Sequence, residues 1–201
     1  MTIAALILAA GESTRMGRLK QLLPWDGVPL VAWQVEQMRQ AGSDEIVVVL
    51  GHAADEIRPA VPSDVRIAVN DAYKDGRATS LRCGAEALSN HVEAVLILNV
   101  DQPRPAWVSR VVLERWRETH APIVTPRFAG RSGHPVLVDG ALVPELCAVD
   151  EATLGLRAVT QRHAAQAVAF SIDNAAPNVD LNTPTDYETA LAAFLAGAWE
   201  P

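Results

Sequence analysis

A chain of 201 residues with 49% hydrophobic and 20% charged residues has the material for a core of its own, which excludes a disordered polymer. At this length roughly 70% of the unfolded surface is buried on folding, so no disulfide or metal staple is needed. With 17 basic and 24 acidic residues the net charge is −7, which excludes a broad basic footprint for a nucleic-acid backbone but allows one small cationic pocket.

Cys83 and Cys147 are far apart, and no His/Cys group has zinc-ligand spacing. A reduced, cytoplasmic setting is expected. No apolar run reaches bilayer length, so no membrane partner is expected. The apolar start lacks a basic flank and runs into a candidate site rather than a cleavage point.

Residues 3–9 are apolar throughout, as a strand buried on both faces requires. Residues 29–41 read as a helix, with Val31, Val35 and Met38 on one face and Gly42 as its stop. Strands are expected at 45–50, 65–69 and 94–100, with a helix at 77–89 between the last two. Residues 105–119 form a helix with Pro105 near its first position. Short strands follow at 122–125 and 135–138, then a helix at 151–162, a strand at 168–172 and a helix at 183–196. Residues 126–135 (PRFAGRSGHP) read as loop. One domain over 1–201 accounts for this pattern, with a mostly parallel sheet covered on both faces. Ligands of such sheets bind beyond the carboxyl ends of the strands.

The first of those ends carries residues 8–20, LAAGESTRMGRLK. Ala9, Ala10 and Gly11 let a ligand approach the main chain closely, and N–H groups in such a turn can line an anion site. Arg15, Arg18 and Lys20 place three cations in six residues of an acidic chain. Lys20 is one of two lysines beside fifteen arginines, which fits a compact ammonium placed against phosphate. GxxxxGK[ST] fails here, because five residues separate Gly11 from Gly17 and Arg18 follows. GxGxxG fails because Gly11 has no partner two residues on.

Asp101, just past the strand at 94–100, suits a divalent cation against phosphates, and equally a turn before Pro103. Asp180 and Asn182 share one side of an extended segment and are hard oxygen donors. Capping of the following helix by Asn182 or Thr183 is the stronger reading of those residues. Residues 75–81 form a glycine turn opening a helix, whose N–H groups could meet a base or phosphate. His52 reads as structural, and His91, His120 and His163 as solvated.

Together these stretches resemble the MobA-like nucleotidyltransferases, most closely the molybdenum cofactor cytidylyltransferase branch. The family pattern LAAGxSxRMGxxK, GxxxSL, DQP, GHPVL and VDxxTPxDY falls here at 8–20, 76–81, 101–103, 133–137 and 179–187. Asn182 departs from it, since that branch often has aspartate there. Purine-transferring relatives tend to carry glycine at the position of Ala10, so the resemblance favours CTP over GTP. It implies a three-layer α/β/α sandwich with a Rossmann-like, mostly parallel sheet of the nucleotide-diphospho-sugar transferase type. It also implies transfer of CMP from CTP to the terminal phosphate of a phosphorylated pterin cofactor, with Mg²⁺ or Mn²⁺. Leu8, Ala9, Ala10 and Gly11 would cradle the base and ribose, with Gly76 and Ser80 completing that pocket. Arg15 and Lys20 would hold the triphosphate and, with Asp101, form the catalytic set. Asp101 would bind the metal, with Asp180 or Asn182 as second ligand. Arg131, Gly133 and His134 would face the acceptor, though His134 also reads as a loop or capping residue. A client molybdoenzyme would be a further partner; Trp107, Trp116 and Trp199 read either as a surface for it or, more commonly for tryptophan, as partly buried packing.

Three other readings remain at this level: a nucleotidyltransferase with another phosphorylated acceptor, a binding-only pterin chaperone, and a nicotinamide-dependent oxidoreductase acting on a planar heterocycle. The missing GxGxxG, and Gly51-His52 where an acidic residue would follow the second strand, disfavour the last.

Overall fold

The computed structural model describes every residue except Met1 and residues 152–154. Its strands and helices follow in the order β1 (Thr2–Leu8), β2 (Pro24–Trp25), β3 (Val28–Pro29), α1 (Leu30–Ala41), β4 (Glu45–Leu50), α2 (Ala54–Ile57), β5 (Arg66–Val69), α3 (Arg77–Glu86), β6 (Val92–Asn99), α4 (Ala106–Thr119), β7 (Ile123–Phe128), β8 (Arg131–Ser132), β9 (Val136–Asp139), α5 (Val143–Cys147), α6 (Leu156–Arg162), β10 (Val168–Ser171) and α7 (Pro184–Leu195).

One sheet runs β10-β7-β9-β6-β1-β4-β5, with β8 paired to β7. β1 is parallel to β4 and β6, β4 to β5, and β7 to β10. β9 alone on that path is antiparallel to both its neighbours, β6 and β7. The connection into β9 is too short for a crossover helix, so this strand must reverse. Strand order reverses beside β1: the chain goes out through β4 and β5, then returns to β6 on the other side. That reversal opens a crevice beyond the carboxyl ends of β1 and β6.

β1 shows why the sheet needs two covering layers. Ile3, Ala5 and Ile7 pack with Val31, Val35, Val108, Val112 and Tyr187 of α1, α4 and α7. Ala4 and Leu6 point the other way, to Ala78, Leu81, Leu146 and Val159 of α3, α5 and α6. The period-2 alternation of a strand apolar at every position feeds both cores, giving the three-layer α/β/α sandwich.

Most expected elements are present with ends shifted by a few residues. Pro105 is the residue preceding α4 rather than its first turn. Residues 126–135 are only partly loop: β7 runs to Phe128, Ala129 and Gly130, both at positive φ, turn the chain into β8, and residues 133–135 join β8 to β9. Of the helix expected at 151–162, Leu156–Arg162 is helical, and residues 152–154 lie outside the described residues. The short β2–β3 hairpin, α2 and α5 are too brief to show a period in sequence. His163 is not simply solvated: its Nε2 lies 2.9 Å from Glu145 Oε1, which holds the Glu145 carboxyl below its usual range. The tryptophans are packing rather than exterior. Trp199 stacks on Trp25 at 5.6 Å, Trp107 Nε1 donates to the Trp199 carbonyl, and Trp116 is buried.

Candidate active site

The turn after β1 is held by main-chain and side-chain bonds together. Ala9 N–H donates to Val49, His52 N–H to Ala10, and Val100 N–H to Leu8, so the turn is tied to β4 and to the end of β6. Gln21, which the sequence reading did not single out, is buried and donates through Nε2 to the carbonyls of Ala9 (2.7 Å) and Gly11 (3.2 Å). Ser13 at φ 57° and Gly17 at φ 70° bend the loop back, and Ser13 Oγ accepts from Lys20 N–H.

The crevice beside this turn is lined by Leu8, Ala10, Gly11, Lys20, Ser80 and Asp101, among others. Lys20 Nζ donates to Asp101 Oδ2 at 2.8 Å, with side chains 10% and 18% exposed. Neither side chain of this largely buried ion pair makes a second hydrogen bond among the described residues, and no side chain caps α4, so the Asp101 carboxylate does not cap that helix. A polar shelf adjoins the crevice, lined by Arg15, Lys20, Asp101 and Asn182. Arg15 Nη2 donates to Asn182 Oδ1 at 2.9 Å. Asn182 does not cap α7; Thr183 does, in a reciprocal capping box with Asp186. Those bonds hold the Asp186 carboxyl below its usual range. Arg18 departs from the expected trio of cations. Its guanidinium sits 5.3 Å over the Tyr187 ring and lines a different groove, with His52 and Glu56.

Gly76 enters α3 at φ 118°, and a Cβ there would overlap the Glu151 carboxylate, which accepts from Ala78 N–H. Ser80 Oγ accepts from Asn70 Nδ2 at 2.9 Å. Ser80 is thereby held at one wall of the crevice, whereas Gly76 is not among the residues that line it.

A second cluster joins three loops. Leu181 N–H donates to the Asp101 carbonyl, setting residues 179–182 alongside 101–104. Arg104, fully buried, donates from Nε to His134 O, and from Nη1 to Pro103 O and Val179 O. Its Nη2 lies 3.6 Å from Asp180 Oδ1. Burial lowers its pKa to about 10, against the raising influence of Asp180 and Asp101. Gln102 Oε1 accepts from Asn99 N and Nδ2, which fixes the amide orientation, so Nε2 donates to Asp180 Oδ1 and to His134 Nδ1, each at 3.0 Å. His134 Nδ1 is then an acceptor and Nε2 carries the proton. Burial, and then the Arg104 charge, push its pKa down to about 4, so the ring is neutral at pH 7. His134 lines a mixed cavity between α3 and α6. A Cβ on Gly133 would come within 2.5 Å of Pro177 O, so this glycine is where two backbones meet. Arg131 lies on exposed β8, and its carbonyl accepts from Asn178 Nδ2.

Asp101, Asp180 and Asn182 are hard oxygen donors on adjoining segments. No cluster of three His, Cys, Asp or Glu able to hold a metal occurs among the described residues. Mg²⁺ ordinarily takes one or two carboxylates plus substrate phosphates and water, so this donor set fits a cation arriving with a nucleotide.

An open, mostly parallel sheet with small residues, cations and a carboxylate at its switch point is the arrangement in which α/β proteins take ligands beyond the strand ends. The chain belongs to the MobA-like NTP transferase domain family, whose profile matches residues 5–168. It is 27% identical over 194 residues to a molybdenum cofactor cytidylyltransferase of Escherichia coli, covering 96% of this chain and 97% of that protein. It is 31% identical over 167 residues to a nicotine blue oxidoreductase of Paenarthrobacter nicotinovorans, covering 77% and 79%. Similarity to the bifunctional protein GlmU of Geotalea uraniireducens reaches 33% over 168 residues, 79% of this chain but 36% of GlmU, so the chain spans little more than a third of that relative. Among solved structures, Rv0371c of Mycobacterium tuberculosis superposes with a TM-score of 0.82 at 26% identity, over 96% of this chain and 98% of that one. The same protein in complex with manganese gives 0.78, also at 26% identity, over 96% and 100%. No helix among the described residues is long and apolar enough to cross a membrane.

Proposed function

We propose that this nucleotidyltransferase-family chain moves CMP from CTP to the terminal phosphate of a phosphorylated pterin cofactor and releases pyrophosphate. The observation that carries this reading is the Lys20–Asp101 pair at the β1/β6 crevice, beside a turn of small residues. Leu8 to Gly11 bind base and ribose against Gly76 and Ser80. Arg15 and Lys20 bind the triphosphate. Asp101 and Asp180, with Asn182 beside them, would hold a Mg²⁺ or Mn²⁺ ion, which when bound neutralises phosphate charge. Full-length similarity to the cytidylyltransferase and the manganese complex of Rv0371c support this.

A phosphate monoester has a second pKa near ~6, so at pH 7 it is a nucleophile without help from a side-chain base. His134 matches that chemistry, because its Nε2–H is a neutral donor rather than a base. Gly133 and Arg131, next to His134 in the chain, would face the acceptor beside it. The remaining task is alignment and charge neutralisation, which Lys20 and Arg15 supply.

The similarity to an oxidoreductase over most of both chains favours one second reading, reduction of a planar heterocycle by a nicotinamide cofactor. Thermal shifts with CTP, GTP, ATP and NADPH, each with and without Mg²⁺, separate the two, because a ligand bound by the native state raises the melting temperature. Stabilisation by Mg·CTP, with pyrophosphate release that stops in chelator, is the expected result. A shift with NADPH alone would replace it.

A further inference from the structure

Three cavities meet at the first residue of α3. They are the crevice lined by Leu8, Lys20, Ser80 and Asp101, the polar shelf lined by Arg15 and Asn182, and a mixed cavity lined by Leu81, Ile97 and Leu156 together with His134, Glu151 and Arg157. The last has a volume of about 310 Å³. Arg77 lines all three, and no other described residue does.

Apart from Arg77, the cations that line the crevice and the shelf are already matched. Lys20 is paired with Asp101, Arg15 is bonded to Asn182, and Arg104 lies against Asp180. The Arg77 side chain has no hydrogen-bond or ion-pair partner among the described residues, and the residue is exposed. Its charge nevertheless reaches the loop cluster, where it helps keep His134 neutral. A guanidinium presents a planar fork that matches two phosphate oxygens, which an ammonium cannot do. An unpaired fork at the junction of the proposed nucleotide crevice and the α3/α6 cavity is placed for a group that belongs to both ligands.

We propose that Arg77 is a catalytic residue that spans the two substrates, its guanidinium gripping the nonbridging oxygens of the nucleotide α-phosphate as an acceptor phosphate arrives from the α3/α6 cavity. This rests on the nucleotidyl-transfer reading above. An acceptor phosphate oxygen forms a bond to the α-phosphorus. The bond from that phosphorus to the bridging oxygen of the β-phosphate breaks, and its electron pair leaves with pyrophosphate. Arg77 offsets the negative charge gathered on the α-phosphate during that exchange.

The test uses the full chain with R77A, R77K and K20A. Affinities for CMP and for cytidine are measured by calorimetry, and turnover of CTP with molybdopterin by pyrophosphate release. R77A is expected to weaken CMP about tenfold or more and leave cytidine unchanged, because only the phosphate contact is lost. Its kcat is expected to fall ~10²–10³-fold. Millimolar guanidinium ion should restore part of that loss in R77A and none in K20A, and R77K should recover only part because it lacks the fork. The melting temperature should stay that of the wild type, since no protein contact is removed. Wild-type CMP affinity in R77A, or a kcat within about twofold of wild type, would overturn the proposal. A wild type whose CMP binding depends on Arg77, yet which releases no pyrophosphate from any nucleoside triphosphate, would overturn the transfer reading and leave the phosphate contact standing.

Discussion

The wall of the crevice that follows β1 and the loop cluster around His134 are assembled differently. The first is one contiguous stretch. Gln21 reaches back only 12 and 10 positions to Ala9 and Gly11, and Ser13 accepts from Lys20 only seven residues on. The second joins residues 30 to 78 positions apart: Arg104 with His134 and Val179, and Gln102 with His134 and Asp180. A locally tied turn carries its geometry with it, so substitutions at its charged tips should cost activity and little stability. A cluster made by distant loops exists only when the whole sheet has formed, so substitutions there should cost stability along with activity.

The largest effect is expected where the two sides meet, at the Lys20–Asp101 pair. Lys20→Ala and Asp101→Ala should each lower turnover ~10²–10³-fold, equivalent to ~3–4 kcal/mol of transition-state stabilisation. The melting temperature should move little, and a steady-state assay beside a thermal melt checks both. A collapse of the melting temperature in both variants would mean that the pair holds the fold instead.

On the second side, His134 makes stability depend on pH. Its native pKa of about 4 lies below the unfolded value of 6.5, so between those values the unfolded chain binds more protons. Stability should therefore fall as pH drops from 6.5 to 4, by up to about 3 kcal/mol. Urea unfolding of wild type and His134→Gln across that window tests this, and the variant should lose most of the slope. Gly133→Ala should cost about 1–3 kcal/mol, because its methyl group meets the Pro177 carbonyl rather than open space. That loss should appear as a lower urea midpoint at unchanged m-value.

The smallest effect contrasts two neighbours in the glycine-rich stretch. Arg15→Ala should weaken Mg·CTP about tenfold through loss of a charge-assisted phosphate contact. Arg18→Ala should leave nucleotide affinity within about twofold, because its guanidinium lies over Tyr187. Equal losses in the two variants would return Arg18 to the site.

Much of the fold could be read from the chain. β1, β4 and β6 are apolar at nearly every position, which only a strand buried on both faces tolerates, and the helices between them have clear periods and stops. The ends of β1 and β6 mark the loops that line the crevice. The hairpin at residues 126–132 was not readable as strand, because Pro126 and Gly130 read as breakers and β8 is two residues long. Gln21 carried no signal beyond being next to Lys20. Arg77 was hidden as one arginine among fifteen, in a turn noted for its glycine.

By itself the sequence determined the alternation of strand and helix, the position of the small-residue turn and the presence of cations beside it. These follow from local periodicity, chain stiffness and side-chain size, which act over a few residues. Only the tertiary structure decided which cation meets which carboxylate. Lys20 reaches Asp101 across 81 positions and Arg15 reaches Asn182 across 167, while Arg18, two residues from Lys20, faces another groove. Ion pairs and hydrogen bonds have ranges of a few ångströms, so their partners are chosen by strand order and loop packing rather than by neighbourhood in the chain.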